Sequence, residues 1–182
     1  MQSIDLLLTR RSTPLLTEPA PNEQDLQTIL KAGMRVPDHG GLTPWHFTVV
    51  KNEGLKRLST IFVDAAKQDK SDEVKLAKVK KMPFRAPLII IISTDVKPHD
   101  KVPKQEQIIA AGCCVHAMQM TAFALGYGAM WRTGDFSYHP FVKKQLNVAN
   151  ENEIVGFLYI GTPTKQLADK PSKTFEPYVS YL

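Results

Sequence analysis

Near the start of the chain two guanidinium groups and a hydroxyl stand side by side, Arg10-Arg11-Ser12, where a short amphipathic stretch gives way to loop. Arginine presents planar, multidentate donors suited to a phosphate dianion, and a serine adds a hydroxyl and a backbone N–H. Alone, the triplet also reads as two solvated arginines after a helix. Three further segments follow: VPDHGGLTPWHF (residues 36–47), GYGAMWRTG (126–134) and VGFLYIGTP (155–163). Gly126 and Gly128 permit close approach of main chain to a bound group, and Arg132 adds positive charge. Without more, GYGAMW is equally a helix stop followed by a core tryptophan. His39, as a lone histidine, reads as a hydrogen-bonded surface or core side chain, and Trp45 as packing area entering a strand.

No other catalytic set competes. The five histidines (39, 46, 99, 116 and 139) show no metal-ligand spacing with cysteines or carboxylates, so no metal is expected. There is neither a G-x-S-x-G elbow nor a G-x-x-x-x-G-K-[ST] loop. Gly126 and Gly128 follow a helix rather than a strand, which removes the dinucleotide fingerprint. Asp100 and Glu106 read as solvated groups around a helix start. Cys113 and Cys114 are helix neighbours whose side chains diverge, so they form no disulfide framework and read as buried small apolar groups in a reducing compartment.

The elements that must position these residues follow from periodicity and caps. A short helix is predicted over 3–9 with Ser3 as cap. A second is predicted over 22–35, with Asn22 as cap, Leu26, Ile29, Leu30 and Met34 on one side, and Pro37 as terminator. Residues 46–51 predict a strand, and 53–81 one or two surface helices broken near Ser71; residues 62–82 are able to serve as a lid. Leu88–Ser93 predicts a strand covered on both faces. Pro103 opens a long helix through Leu125, whose small residues let another backbone come close. A strand near 129–133, a helix near 139–146 and a last strand over 154–160 complete a three-layer α/β arrangement in a single domain, 1–182. The tail after Gly161 cannot pack alone and should lie against the core or a partner subunit.

Composition bounds the function. With 182 residues, 43% hydrophobic and 23% charged, the chain can bury a sizeable core. Much of the net charge of +5 sits between Lys67 and Lys81 with acidic residues interleaved, which predicts a solvated helix face rather than a nucleic-acid groove. The longest apolar run, Pro87–Ser93, is far short of the roughly 20 residues that span a bilayer, and the N-terminus lacks a secretory pattern. No nucleic-acid or membrane partner is expected, and a cytoplasmic location is.

In register over essentially the whole chain, RRS, PDH, PWHF, FRAPLIII, VP-x-x-EQ, WR-x-G and IVGFLY-x-GTP resemble the nitroreductase family of flavin enzymes. The resemblance implies an α+β nitroreductase-like fold: a central mixed, mostly antiparallel sheet flanked by helices, in an intertwined homodimer with exchanged C-terminal tails. It implies FMN sites at the subunit interface and NAD(P)H as co-substrate. Electrons would pass via flavin N5 to a small-molecule acceptor, a nitroaromatic or quinone, by a ping-pong mechanism. The flavin carries the chemistry and no side chain is nominated as catalytic. By the same match Arg10, Arg11 and Ser12 clasp the FMN phosphate, and Trp131, Arg132 and Thr133 run beside the flavin. Gly41 and Thr43 stand where the family more often has Asn and Gln, and Pro14 where it often has arginine. Arg35 and His39 are the expected substitutes, His39 reaching into the other subunit. The helix end Thr121, Ala122, Phe123, Ala124, Leu125 and Gly126 borders the implied cleft and is the candidate NAD(P)H contact. The missing Asn and Gln keep open a flavin-binding or carrier protein with little nitroreductase turnover.

Overall fold

Branched apolar residues from Leu88 to Ile92 leave neither face of a strand able to meet water. In the computed structural model, which describes residues 3–165 and 173–182, they form an interior strand with both faces covered. The elements are α1 (Ser3–Thr9), β1 (Leu16–Thr17), α2 (Glu23–Gly33), β2 (Trp45–Lys51), α3 (Glu53–Gln68), α4 (Glu73–Lys80), β3 (Leu88–Thr94), α5 (Lys104–Ala124), β4 (Gly128–Arg132), α6 (Asp135–Tyr138), α7 (Pro140–Gln145) and β5 (Ile154–Pro163). Short 3₁₀ turns occur at His39–Gly41, Pro83–Arg85 and Glu176–Tyr178.

β3 pairs with β2 on one side and β5 on the other, while β4 and then β1 pair with successive parts of β5. Every pairing among the described strands is antiparallel. Alternation divides the core into two layers. Ile89, Ile91, Phe157 and Tyr159 face Leu58, Phe62 and Ala65 of α3, whereas Leu88, Ile90, Ile92, Leu158 and Ile160 face α2 and α5. An irregularity between Ile92 and Ser93 offsets the register, which lets Ile154 join the first layer although it is an even position.

α5 lies against the second layer, burying Ala111, Cys114, Val115, Met118 and Ala122. Among the described residues it is the one helix long and apolar enough to cross a membrane, and half of its most apolar window is buried inside the fold. Burial pushes the Cys114 thiol up to about 12, with Cys113 adding to the effect, so it is an inert packing group at neutral pH.

The expected helices and strands are present with four differences. α2 ends at Gly33, well before Pro37: Met34 N–H bonds Lys31 O (3.1 Å) and Arg35 N–H bonds Ala32 O (3.1 Å), tightening the end while Gly33 packs against Met118 and Phe47. Ser3 is the first helical residue rather than a cap. β1 and α6 had no sequence signal, being two and four residues long. Asn22 does cap α2, accepting from Asp25 N–H. The break near Ser71 is present, with α4 started by Asp72, whose side chain accepts from Lys75 N–H. The expected tail, 161–182, falls partly on residues 166–172, outside the described residues.

Candidate functional site

Arg10-Arg11-Ser12 leaves the end of α1 and is tied at once to two other elements. Thr13 is buried and its N–H donates to Ala129 O at 2.9 Å. The buried Gln119 of α5 spends its amide there too, donating to Ser12 Oγ (3.4 Å) and Ala129 O (3.2 Å). Gly128 is required at this junction, because Leu16 and Thr13 atoms occupy the space a Cβ would take. Both arginines are half-buried, and Arg11 Nη1 is buried with no hydrogen-bond partner among the described residues.

β4 carries the second group. Its alternation sends Ala129 and Trp131 toward α5, where the Trp131 ring lies beside Gly112. Trp131 Nε1 donates to Val155 O at 3.1 Å, yet the residue keeps 37% of its surface exposed, so it is not the core tryptophan that spacing alone suggested. Arg132 projects from the other face over the Tyr159 ring, 5.5 Å from its centre, with Nε buried and, among the described residues, unpartnered. Burial, with the Arg85 guanidinium close by, lowers its hold on its proton from the ordinary arginine value. Burial likewise pushes the Tyr159 hydroxyl up to about 12 against the opposing pull of Arg132 and Arg85. Two guanidiniums whose fields add, one with an unpaired donor, attract an anion. Thr133 follows, exposed.

Arg35 and His39 occupy a third place. The loop bends sharply, with Gly40, Gly41 and Thr43 at φ 75°, 63° and 50°, and Asp38 Oδ2 accepts from Thr43 N–H at 2.7 Å. His39 Nδ1 sits 2.7 Å from Glu106 Oε2 in the first turn of α5. Glu106 is therefore not the freely solvated group expected from sequence. Among the described residues no hydrogen bond or ion pair joins Arg35 or His39 to Arg10–Ser12 or to Trp131–Thr133.

The helix end at 121–126 is mixed. Ala122 is fully buried and offers no side-chain surface, and Thr121 Oγ1 is spent on Ala117 O at 2.9 Å. Ala124, Leu125 and Gly126 are exposed, with Phe123 half-buried. This end meets the start of β4, about 13 Å by strand rise from Arg132.

Sequence reasoning passed over Gln119, Glu106, Arg85 and Tyr159. Gln119 had one available signal, an amide at the centre of an apolar helix. The other three are brought in by strand pairing and loop geometry. No group of three or more potential metal ligands exists among the described residues.

The antiparallel sheet between helical layers, with Ser12 and Thr13 beside the paired arginines tied to the long helix and β4, defines a nitroreductase fold. The nitroreductase family model matches residues 7–162, and the chain belongs to that family, one of oxidoreductase enzymes. It is 43% identical, over the full length of both chains, to an Escherichia coli K12 protein named "Putative NAD(P)H nitroreductase YdjA". A Haemophilus influenzae protein of similar name is 34% identical, again over the full length of both. Among solved structures, a nitroreductase-like family protein from Bacillus cereus superposes with a TM-score of 0.86 at 22% identity, covering 100% of this chain and 96% of that one. An FMN-dependent nitroreductase from Clostridium difficile superposes at 0.71, 22% identical, with 98% of each chain covered.

Proposed function

We propose that this protein is an FMN-dependent NAD(P)H oxidoreductase working as a homodimer, with a flavin site at each end of the subunit interface. The observation that carries the reading is the pair of buried guanidinium nitrogens, Arg11 Nη1 and Arg132 Nε, without a partner among the described residues, on two of the residues nominated for the cofactor. A buried donor without an acceptor costs about 1–3 kcal/mol, and the phosphate and the electron-rich ring edge of FMN are acceptors of the right charge. Ser12, held by Gln119, adds a hydroxyl oriented by α5.

FMN, when bound, supplies hydride acceptance from NAD(P)H and electron delivery to a nitroaromatic, quinone or related acceptor, the two using one cleft in turn. The chain's own work is binding and electrostatics. Arg10, Arg11 and Ser12 hold the phosphate. Arg132 and Arg85 maintain a positive field that favours the flavin with added negative charge. Trp131 walls the ring on the α5 side. His39 and Arg35, on the loop held by Glu106, reach the site of the partner subunit, which accounts for their lying apart from the other nominated residues within one chain. The acceptor cleft is bounded by the exposed end of α5 at Ala124–Gly126.

The test is the visible spectrum of purified protein reconstituted with FMN and desalted. Oxidised-flavin bands should persist, bleach with NADPH or NADH under anaerobic conditions, and return on adding menadione or nitrofurazone. Colourless protein overturns the cofactor. Bands that bleach but support no acceptor-dependent turnover favour the carrier reading.

A further inference from the structure

Away from the residues above, a cavity of about 640 Å³ opens between β2, α3 and the turn after α7, lined by His46, Thr48, Arg57, Ser93, Asn147 and Leu146 among others. It shares no residue with the candidate flavin site. β2 is separated from β4 by β5 and β3, three strand spacings or about 14 Å. The volume lies within the roughly 300–1,000 Å³ of small-molecule sites.

The polar groups lining it divide sharply by whether the fold uses them. Thr94 Oγ1 donates to Asn152 Oδ1 and accepts from Glu153 N–H, while Asn152 Oδ1 also accepts from Val96 N–H. Asp95 is paired with Lys97. Ser93, in contrast, ends the apolar run of β3 in the lining of the cavity, is only 6% exposed, and makes no side-chain hydrogen bond among the described residues. His46 is its antiparallel partner on β2, on the same face, and Thr48 follows one alternation along. On the opposite wall Arg57 of α3 has no ion pair among the described residues, unlike its neighbour Lys56, which holds Glu53. Val50, Leu58, Ile61, Leu146 and Val148 supply the apolar part.

We infer that this cavity is a second ligand site, for a small organic monocarboxylate whose carboxylate meets Arg57 and the Ser93 and Thr48 hydroxyls while its body packs on Leu58, Ile61 and Leu146. One guanidinium balances one carboxylate, bidentate. A phosphate dianion fits less well, because the Asp95 carboxylate is also in the lining and Arg57 is the one lysine or arginine among the described lining residues. The proposal stands on this geometry independently of whether FMN binds.

Benzoate, benzamide and phenyl phosphate titrated into ¹⁵N-labelled protein saturated with FMN test it, because resolving each amide separates this cavity from the flavin site and its acceptor cleft. Benzoate should shift His46, Thr48, Arg57, Ser93 and Asn147 amides and bind about tenfold more tightly than isosteric, neutral benzamide, the order expected for one charged hydrogen-bonded pair. R57Q, on an exposed side chain, should raise the benzoate Kd about tenfold, and S93A should raise it about threefold. Shifts confined to other residues, no shifts by about 20 mM benzoate, equal binding of benzamide, tighter binding of phenyl phosphate, or an unchanged Kd in R57Q would each overturn the assignment.

Discussion

Arg11 and Lys78 carry the same charge in different surroundings, and the difference is measurable. Arg11 is half-buried with one nitrogen enclosed and without a partner among the described residues, whereas Lys78 lies on the exposed face of α4. A charged hydrogen bond contributes about 1.5–3 kcal/mol, so R11A should weaken FMN retention roughly ten- to a hundredfold while K78A leaves it within about twofold. Fluorescence titration of apoprotein with FMN reads both; equal losses would return the arginines to solvated surface groups. The basic stretch 67–81 is, as its interleaved charges suggested, largely a solvated face. The arginines that matter are distinguished only by what encloses them.

At the level of elements, two close approaches make sharp demands. The Trp131 indole fills the space that a Cβ on Gly156 of β5 would need. G156A should therefore displace the ring, break its bond to Val155 O, and cost about 1–3 kcal/mol of stability. The check is chemical denaturation together with a change in tryptophan emission, since only Trp45 and Trp131 contribute and Trp45 is buried elsewhere. Glu153 joins three elements, accepting from Lys104 at the start of α5 and Lys143 of α7, both at 3.1 Å. Burial works to raise its carboxyl pKa, but those two ammonium groups outweigh it and hold it below the ordinary carboxylate value. The folded value is depressed, so this group's contribution is complete above the unfolded pKa and lost as pH falls through the lower folded one. E153Q should reduce stability at pH 7 by at most about 1 kcal/mol, allowing for solvent screening, and make little difference near pH 2. Urea midpoints at the two pH values decide; equal losses at both would mean the lysine bonds do not act through charge.

At the scale of the whole molecule, the chain leaves apolar surface that one copy does not cover. α1 buries none of its residues, with Ile4, Leu7 and Leu8 at 64%, 59% and 75% exposure, and Tyr178, Tyr181 and Leu182 at the C-terminus are exposed as well. Surface of this kind is what the proposed second copy would cover. If a second copy covers α1, L8E should shift sedimentation from dimer toward monomer and release FMN, while far-UV circular dichroism stays unchanged. A wild-type protein that sediments as a monomer with FMN bound would rule out a shared site.

The sequence alone determined what local chemistry can encode. Asn22 placed a helix start, the branched run at 88–92 announced a doubly covered strand, Pro103 and the small residues after it marked the central helix, and the ordered motifs announced the family. It could not show that α2 stops at Gly33, that β1 and α6 exist, that Glu106 takes His39, or that Arg85 and Tyr159 share Arg132's surroundings. Those features arise when segments dozens of residues apart are packed together, and neither residue of such a pair carries a local mark of its partner. The tertiary structure therefore decided which arginines became enclosed donors and which remained in water, because desolvation is a property of the assembled surroundings and not of the side chain.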